Sequence, residues 1–278
     1  MTAVRERPVA RIRALADFYV QAGKLSAVQQ FSYRASNYLF LVGMLAEPVI
    51  YLVVWRTIAE AKGGSVGGYT AGSLAAYYIL WTLVRNMNLV YAPAGFEWRI
   101  ASGRMSGRLL LPVHPVHYDL AGFAGAKVVW IVLWLPIAAL LTWLFEPALD
   151  VGPVQVAVFL VAIWGAFAIR SLFLWALGLV TFWTTRAGAL FELYFVVELL
   201  LSGRLVPLSL LPGWARAIAD HLPFKWTFAF PIDSLVTPQS TARLLGGLGM
   251  QALWVAVGAA LVAVVWKRAV RRYSGVGA

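Results

Sequence analysis

The sequence predicts an all-α polytopic membrane protein, and three observations carry that prediction. Of 278 residues, 61% are hydrophobic, where soluble domains run at about 45–50%; a core of this size cannot hide the surplus from water. The apolar residues gather into six windows, each near the length of about 20 residues that crosses a bilayer as a helix. Lysines and arginines gather in alternate connections between those windows, as they do on the cytoplasmic side of membrane spans.

The elements follow in chain order. The opening "MTAVRERPVARIRALADFYV" is basic and too polar for the apolar region of a signal peptide, so a cytoplasmic N-terminus is expected. Val9, Ile12, Ala16 and Tyr19 fall at helical spacing with arginines between them. Residues 1–36 are therefore expected to form an amphipathic cytoplasmic helix lying in the headgroup plane, its arginines near anionic lipid, with or without a protein partner. Residues 37–266 form the transmembrane domain, with spans at 37–58, 72–91, 120–145, 154–183, 187–202 and 244–266. The fourth is long enough to tilt or protrude, and the fifth is short. Glu47–Pro48 inside the first predicts a kink. Residues 267–278 form a basic cytoplasmic tail.

Orientation follows from counting basic residues. One side collects Arg5, Arg7, Arg11, Arg13, Lys24, Arg34, Arg99, Arg104, Arg108, Arg186, Lys267, Arg268, Arg271 and Arg272. The other collects Lys62, Arg204, Arg216, Lys225 and Arg243, so the ratio is 14 to 5 and both termini are expected inside. The net charge of +11 reads in the same way, as membrane flanks rather than a nucleic-acid surface. Arginine outnumbers lysine, as in GC-rich bacterial genomes, and a bacterial inner membrane is the expected location. The chain has no cysteine, which excludes disulfide, thiolate and iron–sulfur chemistry.

Motifs for chemistry are missing. No G-x-x-x-x-G-K-[ST] phosphate loop occurs; "GGSVGG" at 63–68 has no lysine and reads as an extracellular turn. The H-E-x-x-H signature is absent. His114 and His117 flank Pro115, which disfavours a helical metal-ligand pair and leaves two titratable loop residues; no metal site is expected. Ionisable residues within spans cost roughly 2.5–3.5 kcal/mol on insertion scales and call for a partner or a task. The candidates are Glu47, Arg85, Lys127, Arg170, Glu192 and Glu198. Lys127 and Glu192 are expected near cytoplasmic ends, where they can snorkel. In an antiparallel hairpin of spans four and five turning near Arg186, Arg170 and Glu198 come within about four residues of level, roughly 6 Å, and are expected to pair.

Two connections stand out. Residues 93–119 contain "RIASGRMSGRLLLPVHP", basic and punctuated. Glu97, Arg99 and Ile100 are expected to open a helical turn that Gly103 or Gly107 ends at positive φ. Leu109 and Leu110 then offer a short apolar face, Arg104 and Arg108 are poised for acidic residues, and Pro112 fixes the return. Residues 203–243 are too polar and proline-broken to span and too apolar for a free loop. Pro212 can open a helix carrying Trp214, Ile218 and Leu222 as a stripe, and Pro223 ends it. A second short helix is expected through Trp226 and Phe230, the pair re-entering the outer leaflet.

This organisation resembles a small six-helix permease of the type-2 ABC exporter superfamily. The resemblance rests on Ile100, Gly103, Leu109, Leu110 and Pro112 between spans two and three. It rests also on Ser202, Gly203, Pro207, Leu211, Pro212, Trp214, Leu222, Pro223 and Pro231 before the last span. It implies that residues 93–119 couple to a separate cytoplasmic ATPase subunit, which would bind the ATP and Mg²⁺. A second permease subunit, similar but different, would complete the pathway, and the re-entrant segment would cap it. The chain would export an amphipathic or lipid-like cargo and would have no catalytic site of its own. Two other readings stand beside it: a proton-driven secondary transporter relaying through Glu47, Glu192 and Glu198, and an intramembrane lipid-modifying enzyme.

Overall fold

The computed structural model describes residues 8–43, 45–90, 93–184 and 186–273. The expectations for residues 1–7, the end of the tail at 274–278, Tyr91 and the side chain of Val9 lie outside the described residues.

The chain is almost wholly helical. Helix α1 (Pro8–Ser32) lies along the outside of the bundle. Next come α2 (Arg34–Gly43) and α3 (Ala46–Ala61), which together form the first apolar stretch. Between them Leu45 is a turn residue, three positions before Pro48, whose ring and missing N–H disturb the preceding turn. A two-residue hairpin, β1 (Ser65–Val66) and β2 (Tyr69–Thr70), leads into α4 (Ala71–Asn88). Thr70 caps α4 by accepting from the Ser73 N–H. Two short helices, α5 (Pro93–Ala101) and α6 (Arg104–Leu109), connect to α7 (Pro115–Phe145). Helix α8 (Pro153–Gly178) returns through α9 (Thr181–Thr184) to α10 (Gly188–Leu201). Then come a 3-10 turn (Leu208–Leu210), α11 (Gly213–Asp220), a second 3-10 turn (Pro223–Trp226) and α12 (Ala229–Val236). The last long helix is α13 (Thr241–Ala269), closed by a 3-10 turn at Val270–Arg272.

Among the described residues, four stretches are long and apolar enough to cross a membrane: Arg34–Ala61, Pro115–Phe145, Pro153–Thr184 and Thr241–Arg272. Helix α4 rises roughly 27 Å over its 18 residues and α10 roughly 21 Å over 14.

Helix α4 is the centre of the molecule. Tyr77, Tyr78, Trp81, Val84 and Met87 have no exposed surface, and α3, α7, α8 and α12 pack around them. At one end of the bundle sit the hairpin, the 146–152 loop and α12. There Ala148 N–H donates to the Gly72 carbonyl at 3.0 Å, and Tyr69 Oη donates to Asp233 Oδ1 at 2.9 Å. At the other end sit α5, α6, the start of α7 and the C-terminal turn, where Ser106 and Tyr273 hydroxyls bond at 2.8 Å.

Helix α1 packs on α7 through small residues. A Cβ on Gly125 would come within 2.1 Å of the Gly23 carbonyl oxygen, so only glycine lets the two backbones approach this closely. Ser26 Oγ donates to the Gly122 carbonyl at 2.6 Å. The face expected from Ile12 and Ala16 is not the packed one, since both are exposed. The packed, half-buried side runs through Leu15, Phe18, Tyr19, Ala22, Gly23, Ser26 and Ala27, because the glycines set which side can meet α7.

Candidate functional site

The α5–α6 segment is held to the bundle by carboxylates that grip it from both sides. Helix α5 opens at Pro93, not at Glu97, which lies inside it. Glu97 instead accepts hydrogen bonds from the Ala187 and Gly188 N–H groups at 2.7 and 3.1 Å, satisfying the open N-terminus of α10. Asp119, in the first turns of α7, is buried and accepts three donors. Arg99 Nη1 lies at 2.7 Å, Arg108 Nη1 at 2.8 Å and Trp175 Nε1 of α8 at 3.1 Å. Arg99 and Arg108 therefore spend their charge inside this chain. Arg108 is not left for an external acid as its place in the sequence implied; Asp119 intercepts it.

Much of the rest of the segment is surface, with Phe96 and Met105 buried beneath it. Gly103 caps α6 at φ +69°, while Gly107 stays inside α6. Arg104 lies over the Trp98 ring, 4.2 Å from its centroid. Ile100 and Leu109 are half-buried, whereas Pro112 is exposed and Leu110 is 86% exposed. His114 caps α7, its Nδ1 accepting from the Val116 N–H at 3.2 Å. Burial between Trp175 and Trp266, with the charge of His117 second, pushes its pKa down to about 4.

Behind this segment lies a node of buried charge where α4 ends. Arg170 of α8 makes a bidentate pair with Glu198 of α10: Nε to Oε1 at 2.6 Å and Nη2 to Oε2 at 2.8 Å. Its Nη1 donates to the Asn88 carbonyl. Lys127 is 4% exposed, so it does not snorkel; its Nζ donates to the carbonyls of Asn86 and Leu89. The C-terminus of a helix leaves open carbonyls and a negative dipole end. Two cations from neighbouring helices close them here. The proposed relay acids form no chain among the described residues. Glu47 meets Arg85 at 2.8 Å, Glu198 meets Arg170, and Glu192 is exposed.

The third feature is irregular backbone between α10 and α11. Tyr77 Oη donates to the Gly203 carbonyl at 2.7 Å, Trp81 Nε1 to Arg204 at 2.9 Å and Tyr78 Oη to Leu205 at 3.2 Å. Asn88 Nδ2 reaches the Thr227 carbonyl at 2.7 Å. Non-helical backbone at membrane depth survives only where its polar groups are satisfied by protein or water, and one face of α4 does this. Gly203 stands at φ +86°, with Tyr77 Oη and Ala229 Cβ both within 3.0 Å of where a Cβ would be. Pro207 and Pro212 stand immediately before the first 3-10 turn and α11, and Pro223 opens the second turn. Pro231 is buried in α12. The stripe expected from Trp214 and Ile218 faces outward, Trp214 at 71% exposure, while Ala215 and Ala219 face the protein. Small residues are what allow an eight-residue helix to lie flat on its neighbours. Beside α11 a cavity of about 600 Å³ is lined by Tyr69, Arg216, Lys225, Trp226, Asp233 and Arg243.

Sequence reading missed Asp119, Asn88 and the Tyr77–Tyr78–Trp81 face. A carboxylate two residues past the second histidine, and a cluster of aromatic residues followed by two asparagines along α4, were the available signals.

The family description for ABC-2 family transporter proteins matches residues 45–277 of the chain. No curated protein matches it.

Proposed function

We propose, from the premise that the chain belongs to the ABC-2 transporter family, that it is the permease subunit of an ATP-driven exporter. The chain is a multi-pass membrane permease of an ABC transporter, in a family whose transmembrane component is generally non-catalytic. On our reading ATP and Mg²⁺ bind to a separate cytoplasmic ATPase. A second, similar but different permease completes the pathway, and an amphipathic or lipid-like cargo moves outward across a bacterial inner membrane.

Six crossings with both termini inside are supported by the path of the chain. Helix α3 ends at the hairpin end of the bundle and α7 begins at the opposite end, so α4 must traverse between them. Helix α10 and the 203–236 segment climb back from α9 to the start of α13. The 14 to 5 bias in basic residues then supports a cytoplasmic position for α5 and α6. The 203–243 segment opens to the outer side, its short helices dipping between the long ones without crossing, deep enough for Thr227 to meet Asn88.

The observation that carries this reading is the way α5–α6 is built. It is short, protrudes with Leu110 bare, and is fastened through Glu97 and Asp119 to α7, α8 and α10 at once. Force applied to such an element reaches three long helices. Leu110→Asp should leave insertion and folding intact, since Leu110 touches almost nothing. It should cut ATPase association at least tenfold, about 1.4 kcal/mol, measured by co-purification and transport-coupled hydrolysis. Normal assembly and turnover in that variant would return the segment to an ordinary loop.

A further inference from the structure

Glu47 lies fourteen residues from the hairpin end of α3 at Ala61. Arg85 lies fourteen residues from the hairpin end of α4 at Ala71. At 1.5 Å per residue both lie about 21 Å along their helices from the hairpin end, well within the span of a hydrocarbon core of about 30 Å. Arg204 reaches the same point from the irregular backbone after α10. Arg85 Nη1 is 2.8 Å from Glu47 Oε2, and Arg204 Nη2 is 4.0 Å from Glu47 Oε1. Tyr51 Oη donates to the same Oε1 at 3.3 Å. Arg85 also lies over the Trp81 ring, 5.1 Å from its centroid.

The charges do not balance. One carboxylate serves two guanidinium groups, and the Nε of Arg85 and of Arg204 have no acceptor. The group is not sealed either: the side chains of Arg85, Glu47 and Arg204 are 19%, 31% and 22% exposed. Within a membrane, ionisable side chains face a protein interior or a water-filled cavity and not lipid. The other three charged sites at depth, Lys127, Arg170 and Glu198, are closed off inside the chain. This one opens outward.

We infer that the Glu47–Arg85–Arg204 cluster lines an aqueous path through the membrane and binds the anionic head group, a phosphate or carboxylate, of the transported amphiphile. The inference rests on the permease reading and names its substrate class. The excess positive charge would hold an anionic head. The Trp81 and Tyr51 rings beside it would pack against the apolar part next to that head, and Glu47 would keep the arginines apart and preset when the site is empty.

The test uses the absence of native cysteine. Tyr51→Cys, in the full chain reconstituted in liposomes, is treated with an anionic sulfonatoethyl and a cationic trimethylammonioethyl methanethiosulfonate. Ser65→Cys, in the exposed hairpin, is the reference. Both reagents should modify position 51, with the anionic one favoured about tenfold over its preference at position 65. Arg85→Gln with Arg204→Gln should abolish that preference; Arg204→Gln alone, at the longer contact, should weaken it about threefold if the pair fails to insert. Dihexanoyl phosphatidylglycerol should slow modification where dihexanoyl phosphatidylcholine and inorganic phosphate do not. No reaction at position 51, in the chain alone and in the purified complex with ATP, overturns the aqueous path. A preference unchanged by the arginine variants overturns anion selection. Protection by inorganic phosphate alone overturns the amphiphile. Failure of the permease reading shows elsewhere, as absence of an associated ATPase, because thiol reactivity is read without one.

Discussion

Helices α4 and α13 solve the problem of living in a membrane in opposite ways. Helix α13 is 29 residues long, and only 17% of its most apolar window is buried by the rest of the chain. It shows the protein a stripe of Leu244, Gly247, Gln251, Gly258 and Val262. It turns Leu253, Val257, Leu261 and Val264 outward. Helix α4 is shorter and carries tyrosines, a threonine, an arginine and asparagines, yet it is buried nearly throughout. In water apolar residues mark the core. In lipid they mark the outside as well, and the polar residues show which helix has protein on every side. The closed charges and carbonyl caps of this molecule accordingly gather around α4.

Breaking the node at the end of α4 should have the largest effect. Glu198→Ala leaves Arg170 buried and unpaired, at a cost of about 3–5 kcal/mol, read as the thermal midpoint in lipid nanodiscs. Replacing both Arg170 and Glu198 by leucine should recover much of that loss, which separates the cost of an orphaned charge from the worth of the pair. Tyr77→Phe sharpens the comparison. It removes one oxygen and leaves the Gly203 carbonyl without a donor, which should cost about 1–3 kcal/mol in the same assay.

Asp233 offers a comparison by pH at the hairpin end. Burial, only partly offset by Tyr69, Lys225 and Arg216, raises its pKa to about 6, against an unfolded value near 3.9. The folded state holds this proton more tightly, so the associated stability is complete below about pH 4 and is lost as pH rises through 6. Asp233→Asn should therefore gain more over the native chain at pH 7.5 than at pH 4.5, with thermal midpoints as the measure. The smallest effect belongs to α13: Leu253→Ala, facing outward, should shift the midpoint by no more than about 0.5 kcal/mol. A loss as large as that of Tyr77→Phe would mean that α13 is covered by something other than lipid.

The contrast also explains what the sequence made legible. Apolar runs announce themselves, so the long helices α7, α8 and α13 lie where the windows placed them. Arg170 and Glu198 could be matched because two helices joined by a short turn have a simple register. Glu97, Asp119 and Lys127 could not. Their partners are backbone groups at helix ends, or arginines brought round by α5 and α6, and no periodicity encodes such a meeting. Lys127 reads as able to reach the interface because it stands near the cytoplasmic start of its own span. The end of α4 at Asn88 leaves carbonyls just where that lysine sits. The Tyr77–Tyr78–Trp81 face was hidden for a related reason: its acceptors lie in a segment whose depth only the fold determines.

That last feature also constrains how the protein is made. The partners of Tyr77, Trp81 and Asn88 lie 126, 123 and 139 residues further along the chain. At roughly 5–20 residues per second of synthesis, α4 emerges about 6 to 28 s before residues 203–227 exist. During that interval its donors have no carbonyls to meet, and for the first part of it, until residues 127 and 170 are made, its terminal carbonyls lack Lys127 and Arg170 as well. A segment in that state is poorly suited to be released alone into hydrocarbon. Its insertion is therefore bound to the arrival of later helices, and the ribosome's pace along the second half of the message becomes part of the folding pathway of the first.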